Sequence, residues 1–218
     1  MSQPLLSILI PTVVGREEQM DAISMRVIGQ LTEEATGLEA LFGDVVKGGR
    51  IVFGNVELIH LKDNKELTIG EKRELLYKEA WGLYSWQLDD DDDISDNALK
   101  LILGGIDLNP DVITFEEHID IDGKIEMSNH SLSYGDWEGE GGKELWDGFH
   151  YHRTPFFKSV IKTEIAKSVP IPHIRFGEDH QWAQVLKPHL QTEFHINEQL
   201  YKYIHRSSNP TERYGLDK

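Results

Sequence analysis

The sequence predicts an α/β fold in which a single sheet is flanked by helices. Short apolar runs of a length typical of buried strands recur at Leu5–Ile10, Val56–Leu61 and Leu83–Leu88. Segments between them carry apolar residues at helical spacing. The third run leads directly into consecutive aspartates. Because ligands bind outside the carboxyl ends of the strands in open α/β sheets, this order also predicts where a site lies.

Composition and charge restrict the class of protein. The 218 residues suffice for one domain, and we expect a single domain over 1–218. A net charge of −16 disfavours nucleic acid as a partner, because its phosphates are bound by Lys and Arg. No stretch approaches the ~18 apolar residues of a membrane span and no signal-peptide pattern is present, so we expect a cytoplasmic protein. Cysteine is absent, which excludes disulfides, thiolate catalysis and cysteine-based zinc sites.

Between the first two strands, the sequence predicts one helix clearly and leaves the following segment ambiguous. A helix is predicted over Arg16–Leu31, because its apolar residues fall on one face. The segment Thr32–Gly54 is ambiguous and can hold a second helix that ends near Lys47–Gly49. The next strand, Val56–Leu61, ends in a polar turn.

A helix start after this strand carries an unusual charge pattern. Thr68 and Glu71 have the capping-box spacing, which predicts a helix from Thr68 to Ala80. Lys72 and Arg73 occupy its first turn, where cations oppose the helix dipole. A bound phosphate would turn this repulsion into attraction, so we infer an anion site at the helix start. The alternative is that both side chains extend into water.

Asp89–Asp93, here called the aspartate run, places five adjacent carboxylates after an apolar segment. These carboxylates repel one another unless a positive group joins them, and a divalent metal is the simplest candidate. Mg²⁺ and Mn²⁺ prefer oxygen ligands, and a Mg²⁺-type ion uses one or two carboxylates, leaving other positions for water and substrate phosphate. The alternative is a solvated acidic loop. A calcium EF-hand is excluded because Ile94 stands where that loop requires glycine.

Strands, helices and one long loop alternate in the second half of the chain. Ser95 can cap a helix through Leu103, and Asp122-Gly123 indicates a hairpin turn. Ser128–Gly148 fits either a mobile loop over a site or a disordered loop. The other predicted elements are hairpin strands Val112–Ile119 and Lys124–Met127, helices Phe157–Val169 and Glu178–Leu186, and closing strands Thr192–Ile196 and Tyr201–Arg206.

Four motifs occur in the order found in one enzyme family. They are Pro11-Thr12 after the first strand, Gly70-Glu71-Lys72-Arg73 at a helix start, Ala80-Trp81-Gly82-Leu83-Tyr84 before the aspartate run, and Gly177-Glu178-Asp179-His180. Together they resemble glycosyltransferase family 2, from Leu5 to about Arg206. Two further stretches are similar to small, non-processive members, namely His152-Arg153-Thr154-Pro155 and Tyr201-Lys202-Tyr203.

The resemblance implies the GT-A fold, a single Rossmann-like mixed sheet flanked by helices with a small acceptor-side β region. About 1–100 would form the nucleotide-sugar-binding half, about 101–206 the acceptor-side half, and 207–218 a tail. In this family's pattern, the nucleotide pocket would be lined by Pro11, Thr12 and Arg16, the base contacted by Asp63, and the diphosphate approached by Lys72 and Arg73.

Metal ligands are implied by the same resemblance. Asp89 and Asp91 match the first and third positions of the DxD motif. Asp91 would hold Mn²⁺ or Mg²⁺ most directly, while Asp89 would reach the ribose or a metal-bound water, and Asp90 would be accessory. His205 lies where some GT-A enzymes offer a late histidine to the metal, although a structural role is the alternative.

Asp179 matches the family's catalytic base, with Glu178 as its neighbour. Inversion at an anomeric carbon needs a carboxylate that takes the acceptor proton while cations stabilise the departing diphosphate. The alternative is two ordinary acids favoured by the helix dipole. His152 and Arg153 could approach the donor phosphates or the acceptor, and Trp182 could stack on a sugar or pack internally.

The function implied is a metal-dependent, inverting glycosyltransferase that moves a single sugar from a nucleotide-sugar donor, UDP-linked, to a carbohydrate or glycoconjugate hydroxyl. Single transfer is favoured because the Gln-x-x-Arg-Trp signature of processive synthases is absent. The chain departs from the family pattern between Asp63 and Gly70, where only a short segment intervenes. The alternative is a catalytically inactive GT-A protein that binds sugars or nucleotides.

Overall fold

The protein is described by a computed structural model that covers residues 3–32, 43–45 and 48–207. Within these residues, twelve strands form one mixed sheet. Helices pack on both of its faces. The predicted α/β fold class is therefore confirmed. None of the described helices is long and apolar enough to cross a membrane.

The bounds of the elements are as follows. In the described part of the chain the helices are α1 (Glu17–Thr32), α2 (Ile69–Glu79), α3 (Ala98–Ile106), α4 (Thr163–Ser168) and α5 (Glu178–Leu186), with a 3-10 turn over Lys187–His189. The strands are β1 (Leu6–Val13), β2 (Gly43–Val45), β3 (Gly48–Phe53), β4 (Val56–Asp63), β5 (Tyr84–Gln87), β6 (Asp93–Ile94), β7 (Val112–Ile121), β8 (Lys124–His130), β9 (Glu138–Gly139), β10 (Tyr151–Arg153), β11 (Val160–Lys162) and β12 (Glu193–His205).

The first half of the sheet has a parallel centre. β1 lies between β4 and β5 and runs parallel to both, so that Leu6 is opposite Val56 on one side and Tyr84 on the other. Their carboxyl ends therefore lie at one edge of the sheet. Val13 pairs with Asp63 at this edge, and β5 leads from it into the aspartate run.

β7 is the centre of the second half. It pairs antiparallel with β8 and β11 and parallel with β12. β11 also pairs with β5, which joins the two halves into one sheet. The later part of β12 pairs with β6, where Tyr201 is opposite Ile94 and Lys202 opposite Asp93. β12 therefore runs alongside the aspartate run.

Two apolar layers fix the sheet between the helices. One layer packs α1 and α3 on the face that carries Ile8 and Trp86. The other packs α2, α4 and α5 on the face that carries Leu9 and Ile161. Ile8 and Leu9 are adjacent and both fully buried, because successive side chains of a strand point to opposite faces. The parallel strands are thus covered on both sides.

Two local predictions are confirmed. α2 begins with a complete capping box, in which Glu71 donates its amide to the Thr68 hydroxyl and its carboxylate accepts the Thr68 amide. The hairpin turn between β7 and β8 is at Asp122 and Gly123, with φ of 51° and 87°. Two consecutive left-handed residues are typical of a type I′ turn.

Other predicted elements are wrong in type or extent. A helix ending near Lys47–Gly49 is excluded, since 43–45 and 48–53 are strands; residues 33–42 and 46–47 lie outside the described part. Phe157–Val169 is a helix only from Thr163, because residues 154–161 are buried throughout and enter β11. The predicted closing strand pair is one strand, β12, with two register shifts opposite β7. Ser128–Gly148 is partly ordered, since β8 extends to His130 and β9 lies within it.

Candidate active site

Polar residues converge where β1, β4 and β5 end and α5 begins. The aspartate run leaves β5 at this edge, and the exposure of its side chains alternates along Asp89–Asp92. Asp90 and Asp92 are buried, at 3% and 8% exposure. The side chains of Asp89 and Asp91 are 24% and 23% exposed. The first and third carboxylates therefore remain open to solvent, while the second and fourth face inward.

Arg16 and Thr12 hold the inner side of the run. Asp90 accepts hydrogen bonds from the Thr12 hydroxyl at 2.6 Å and from Arg16 Nη1 at 2.7 Å. The same Arg16 nitrogen lies 3.0 Å from Asp91 Oδ2. The end of β1 is thus joined to the aspartate run, as expected if both line one pocket, and Pro11 lies on β1 directly before Thr12.

Protonation of the run is governed by burial. Burial raises the pKa of Asp90 although Thr12 and Arg16 oppose it. The pKa of Asp91 is raised to about 6 by burial, with the charges of Asp89 and Asp90 adding to the shift. Asp92 has a pKa well above its usual range, again through burial. Burial therefore opposes ionisation of Asp90, Asp91 and Asp92, and a nearby cation would stabilise the charged forms of these three carboxylates.

These residues fit a hard divalent cation bound together with a substrate. Among the described residues no three carboxylate or histidine side chains form a ready-made metal cluster. A Mg²⁺-type ion, however, takes only one or two carboxylates and completes its shell with water and phosphate oxygens. Asp89 and Asp91 supply two partly open carboxylates, and the raised pKa of Asp91 indicates a need for positive charge.

Lys72 and Asp63 form a buried ion pair beside this edge. Lys72 Nζ lies 2.5 Å from Asp63 Oδ1 and donates to the Thr12 carbonyl at 2.8 Å. The other Asp63 oxygen accepts the Leu67 amide at 2.8 Å. Lys72 therefore joins β1 to β4 and does not extend into water.

The predicted anion site at the start of α2 is closed by the chain itself. The amides of Glu71 and Lys72 bond to Thr68, and the Gly70 amide bonds to the Ile174 carbonyl. A Cβ on Gly70 would lie 1.9 Å from the Pro172 carbonyl oxygen. An anion cannot reach these amides, so this part of the prediction is wrong. The close approach of 172–174 could not be read from the capping pattern.

Arg73 connects the aspartate run to α5. Its Nη1 and Nη2 lie 3.0 and 3.3 Å from the two Asp89 oxygens, and its Nε lies 3.1 Å from Glu178 Oε1. The Phe157 ring lies 3.4 Å from the guanidinium carbon, and the Gln87 side chain accepts from Nη1 at 3.0 Å. Although burial opposes charge, these carboxylates raise the pKa of Arg73 above its ordinary value. A buried cation thus holds two acids from distant segments.

Glu178 and Asp179 begin α5 directly after Gly177, whose φ of 79° is left-handed. Glu178 is 5% exposed and its pKa is raised by burial, with Arg73 opposing the shift. Asp179 is only half-buried, and its carboxylate accepts the His180 amide at 2.8 Å. The two adjacent acids therefore differ in burial. Glu178 contacts Arg73 in the interior, whereas the Asp179 side chain is partly open to solvent.

β10 approaches Asp179 through Arg153. The pKa of Arg153 is lowered by burial, and the Asp179 carboxylate is among the charges that oppose this shift. The guanidinium carbon of Arg153 lies 4.8 Å from the Trp137 ring. His180 contacts Asp136 at 2.9 Å, so the loop before β9 is fixed to α5. Arg153 therefore lies within electrostatic reach of the Asp179 carboxylate.

Three other predicted site residues lie elsewhere. Trp182 is 1% exposed and packs 5.4 Å from the Tyr77 ring, so it is a core residue and its assignment to a substrate is wrong. His152 is 2% exposed, stacked 4.1 Å from the Tyr134 ring, and cannot contact a ligand directly. His205 follows Tyr203 on the same face of β12, with rings 6.5 Å apart, and joins no metal cluster of the described residues.

Local sequence patterns do not predict that three further residues contribute to this region, namely Lys158, Glu117 and Tyr201. Tyr201 donates to Asp92 at 2.6 Å, and Lys158 is buried beneath it against Glu117. Tyr201-Lys202-Tyr203 was noted only as a family similarity, and nothing in the local sequence pairs a lysine with a glutamate 41 positions away.

Several solved structures have a similar fold. No known family profile and no curated protein matches this chain. S. aureus TarS 1–349 is similar with a TM-score of 0.58 at 15% identity, covering 91% of this chain and 60% of that chain. The same protein in complex with UDP-GlcNAc gives 0.57 at 15%, covering 96% and 61%, and in complex with UDP 0.53 at 14%, covering 90% and 59%.

This chain thus spans about 60% of the TarS 1–349 structure. TarS is a glycosyltransferase. A likeness at 15% identity shows the fold alone, and the chain therefore has a GT-A-like fold.

Proposed function

We propose that this protein is a metal-dependent, inverting glycosyltransferase that moves one sugar from a UDP-linked donor to an acceptor hydroxyl. The observation that carries the proposal is the contact of Arg73 with both Asp89 and Glu178. It brings the end of β5, suited to a metal diphosphate, next to the start of α5, suited to a general base. The complexes of TarS with UDP-GlcNAc and UDP favour uridine as the base of the donor.

The chain's own residues account for the steps of the transfer. Asp179 takes the proton of the acceptor hydroxyl as the oxygen attacks the anomeric carbon. Arg73 and Arg16 hold Asp89 and Asp91 in place while negative charge develops on the departing diphosphate. A divalent cation bound at Asp89 and Asp91 would supply charge stabilisation to that leaving group. Asp63 and Thr12, at the ends of β4 and β1, would border the nucleoside.

Stabilisation by metal and nucleotide together tests the donor site. A ligand that binds only the folded protein stabilises it by about 2.7 kcal/mol at 100 times its Kd. For a chain of this size we expect Mn²⁺ plus UDP to raise the Tm by about 5–10 °C. UDP with EDTA should give a clearly smaller rise. A Tm indifferent to both would support the solvated-loop alternative.

Asp91→Asn should weaken donor binding in the presence of metal. An ionic contact of this kind is worth at least a charged hydrogen bond, so we expect about a 10–100-fold rise in the Kd of UDP with Mn²⁺. Asp93→Asn is the matched control, because Asp93 belongs to the same run but bonds to Arg26 and Lys202. Calorimetry that finds equal affinities for the two variants would exclude Asp91 as a ligand.

A non-catalytic binding protein is the second candidate. It is favoured by one observation, since Arg73 and Arg16 lie 3.0 Å from Asp89 and Asp91 and can themselves balance the charge of these carboxylates. Turnover separates the candidates. Metal-dependent release of UDP from a UDP-sugar supports the enzyme, and binding of UDP-sugar without release supports the binding protein.

A further inference from the structure

A buried ion pair lies behind the aspartate run, outside the residues assigned to the proposed reaction. Lys158 is 6% exposed, and its ammonium donates to the Glu117 carboxylate. The second oxygen of Glu117 lies 3.1 Å from His130 Nε2. A charged lysine in an apolar wall is retained only when it is paired, because an unpaired buried charge is strongly destabilising.

The same ammonium faces two aromatic rings of β12. Lys158 Nζ lies 4.6 Å from the Tyr201 ring centroid and 4.2 Å from that of Tyr203. Both distances are within the range of cation–π attraction. Tyr201 and Tyr203 share a face because side chains two positions apart on a strand point the same way. The Lys158–Glu117 ion pair thus packs against this stretch of β12 through the two tyrosine rings.

Tyr201 in turn holds the aspartate run at two points. Its hydroxyl accepts the Asp89 amide at 3.2 Å and donates to Asp92 Oδ2 at 2.6 Å. The other Asp92 oxygen accepts the Ile204 amide at 2.9 Å. Within the run, the Asp92 amide donates to the Asp89 carbonyl at 3.3 Å and closes a turn. The shape of Asp89–Asp92 is therefore set partly by contacts with β12.

Charge in this cluster is balanced by the Lys158–Glu117 pair. Burial alone would lower the pKa of Lys158, but the Glu117 and Asp92 carboxylates outweigh it and the pKa is raised. Burial likewise works to raise the pKa of Glu117, yet Lys158 and His130 bring it to about 2. Both groups are ionised in the folded protein.

We propose that Lys158 is a positioning residue which, paired with Glu117, holds Tyr201 so that its hydroxyl fixes the Asp89–Asp92 turn. The consequence for the donor rests on the proposed function: a loosened turn would present Asp89 and Asp91 in more than one arrangement and weaken binding of a metal diphosphate. Lys158 contacts neither reacting group.

Hydrogen exchange of backbone amides, followed by NMR, tests this inference without any ligand. Tyr201→Phe removes the hydroxyl and keeps the ring, and we expect the Asp89 amide to exchange about tenfold faster. Lys158→Met should have an effect in the same direction. Tyr203→Phe is the matched control, since among the described residues no hydrogen bond joins the Tyr203 hydroxyl to the run; it should change exchange less than about twofold.

Hydrogen exchange of the β1 amides distinguishes a local effect on the Asp89–Asp92 turn from a general loss of stability. Faster exchange at Asp89 and Asp92 with β1 unchanged supports the inference, and so does a roughly tenfold weaker affinity of Tyr201→Phe for UDP with Mn²⁺. No selective change in the turn in Tyr201→Phe, or none in a folded Lys158→Met, would overturn it, whatever the nucleotide affinities. A turn that loosens selectively in a protein whose unaltered form binds no UDP with Mn²⁺ would support the positioning role and overturn the proposed function.

Discussion

Asp179→Asn is expected to lower the rate of UDP release from a UDP-sugar by about 100–10,000-fold while leaving the Kd of UDP with Mn²⁺ unchanged. Asparagine keeps the size of the side chain and its contact with the His180 amide, but it cannot accept the proton of an attacking hydroxyl. Water can serve as the acceptor, so the rate is measurable before the natural acceptor is known.

Glu164→Gln is the matched control for this substitution. Glu164 is an exposed acid in the first turn of α4, so it has the same helix-start setting as Asp179 without any neighbouring site. Its removal should leave the rate within about twofold, since surface changes have small effects. A near-normal rate in Asp179→Asn would exclude Asp179 as the base and favour the ordinary helix-start alternative.

Arg73→Met is expected to destabilise the protein by about 3 kcal/mol. The substitution leaves Glu178 buried without its cation, and removal of one partner of a buried pair is strongly destabilising. Asp89 is 24% exposed and keeps contact with water, which places the effect at the lower end. UDP release should fall as well, because Arg73 is the link between Asp89 and Glu178. Urea unfolding measures the first effect and the release assay the second.

A surface arginine provides the comparison. Arg26 bonds to Asp93, the last residue of the run, and to Asp96 beyond it, and its side chain is 35% exposed. Exposed ion pairs contribute about 0.2–1 kcal/mol, so Arg26→Met should lower the free energy of unfolding by less than about 1 kcal/mol. If Arg73→Met has no larger effect than Arg26→Met, Arg73 does not bind the two segments together.

Local patterns were enough to predict the main features of the fold. The apolar runs predicted β1, β4 and β5, and the spacing of Thr68 and Glu71 predicted the start of α2. These features depend on residues close in sequence. Burial on all sides distinguishes β11 from an amphipathic helix, but this burial is a property of the folded chain. The sequence of Phe157–Val169 therefore predicts a helix throughout, although the helix begins only at Thr163.

The site could be predicted only in part for the same reason. The aspartate run follows β5, and Glu178 and Asp179 begin α5, as their local sequence indicates. Lys72 and Arg73 were expected to face a phosphate, but their partners, Asp63, Asp89 and Glu178, become visible only when the strands and α5 assemble. Trp182 shows the converse, since a sugar-stacking aromatic and a core aromatic look alike in sequence.

The central claim is that the aspartate run and Asp179 serve opposite ends of one metal-dependent transfer. A time course of UDP release from UDP-GlcNAc by the unaltered protein, with Mn²⁺ and then with excess EDTA, tests it most directly. We expect slow release with Mn²⁺ that stops when EDTA is added. Release that continues at the same rate in EDTA, or tight binding of UDP-GlcNAc with no release at all, would contradict it.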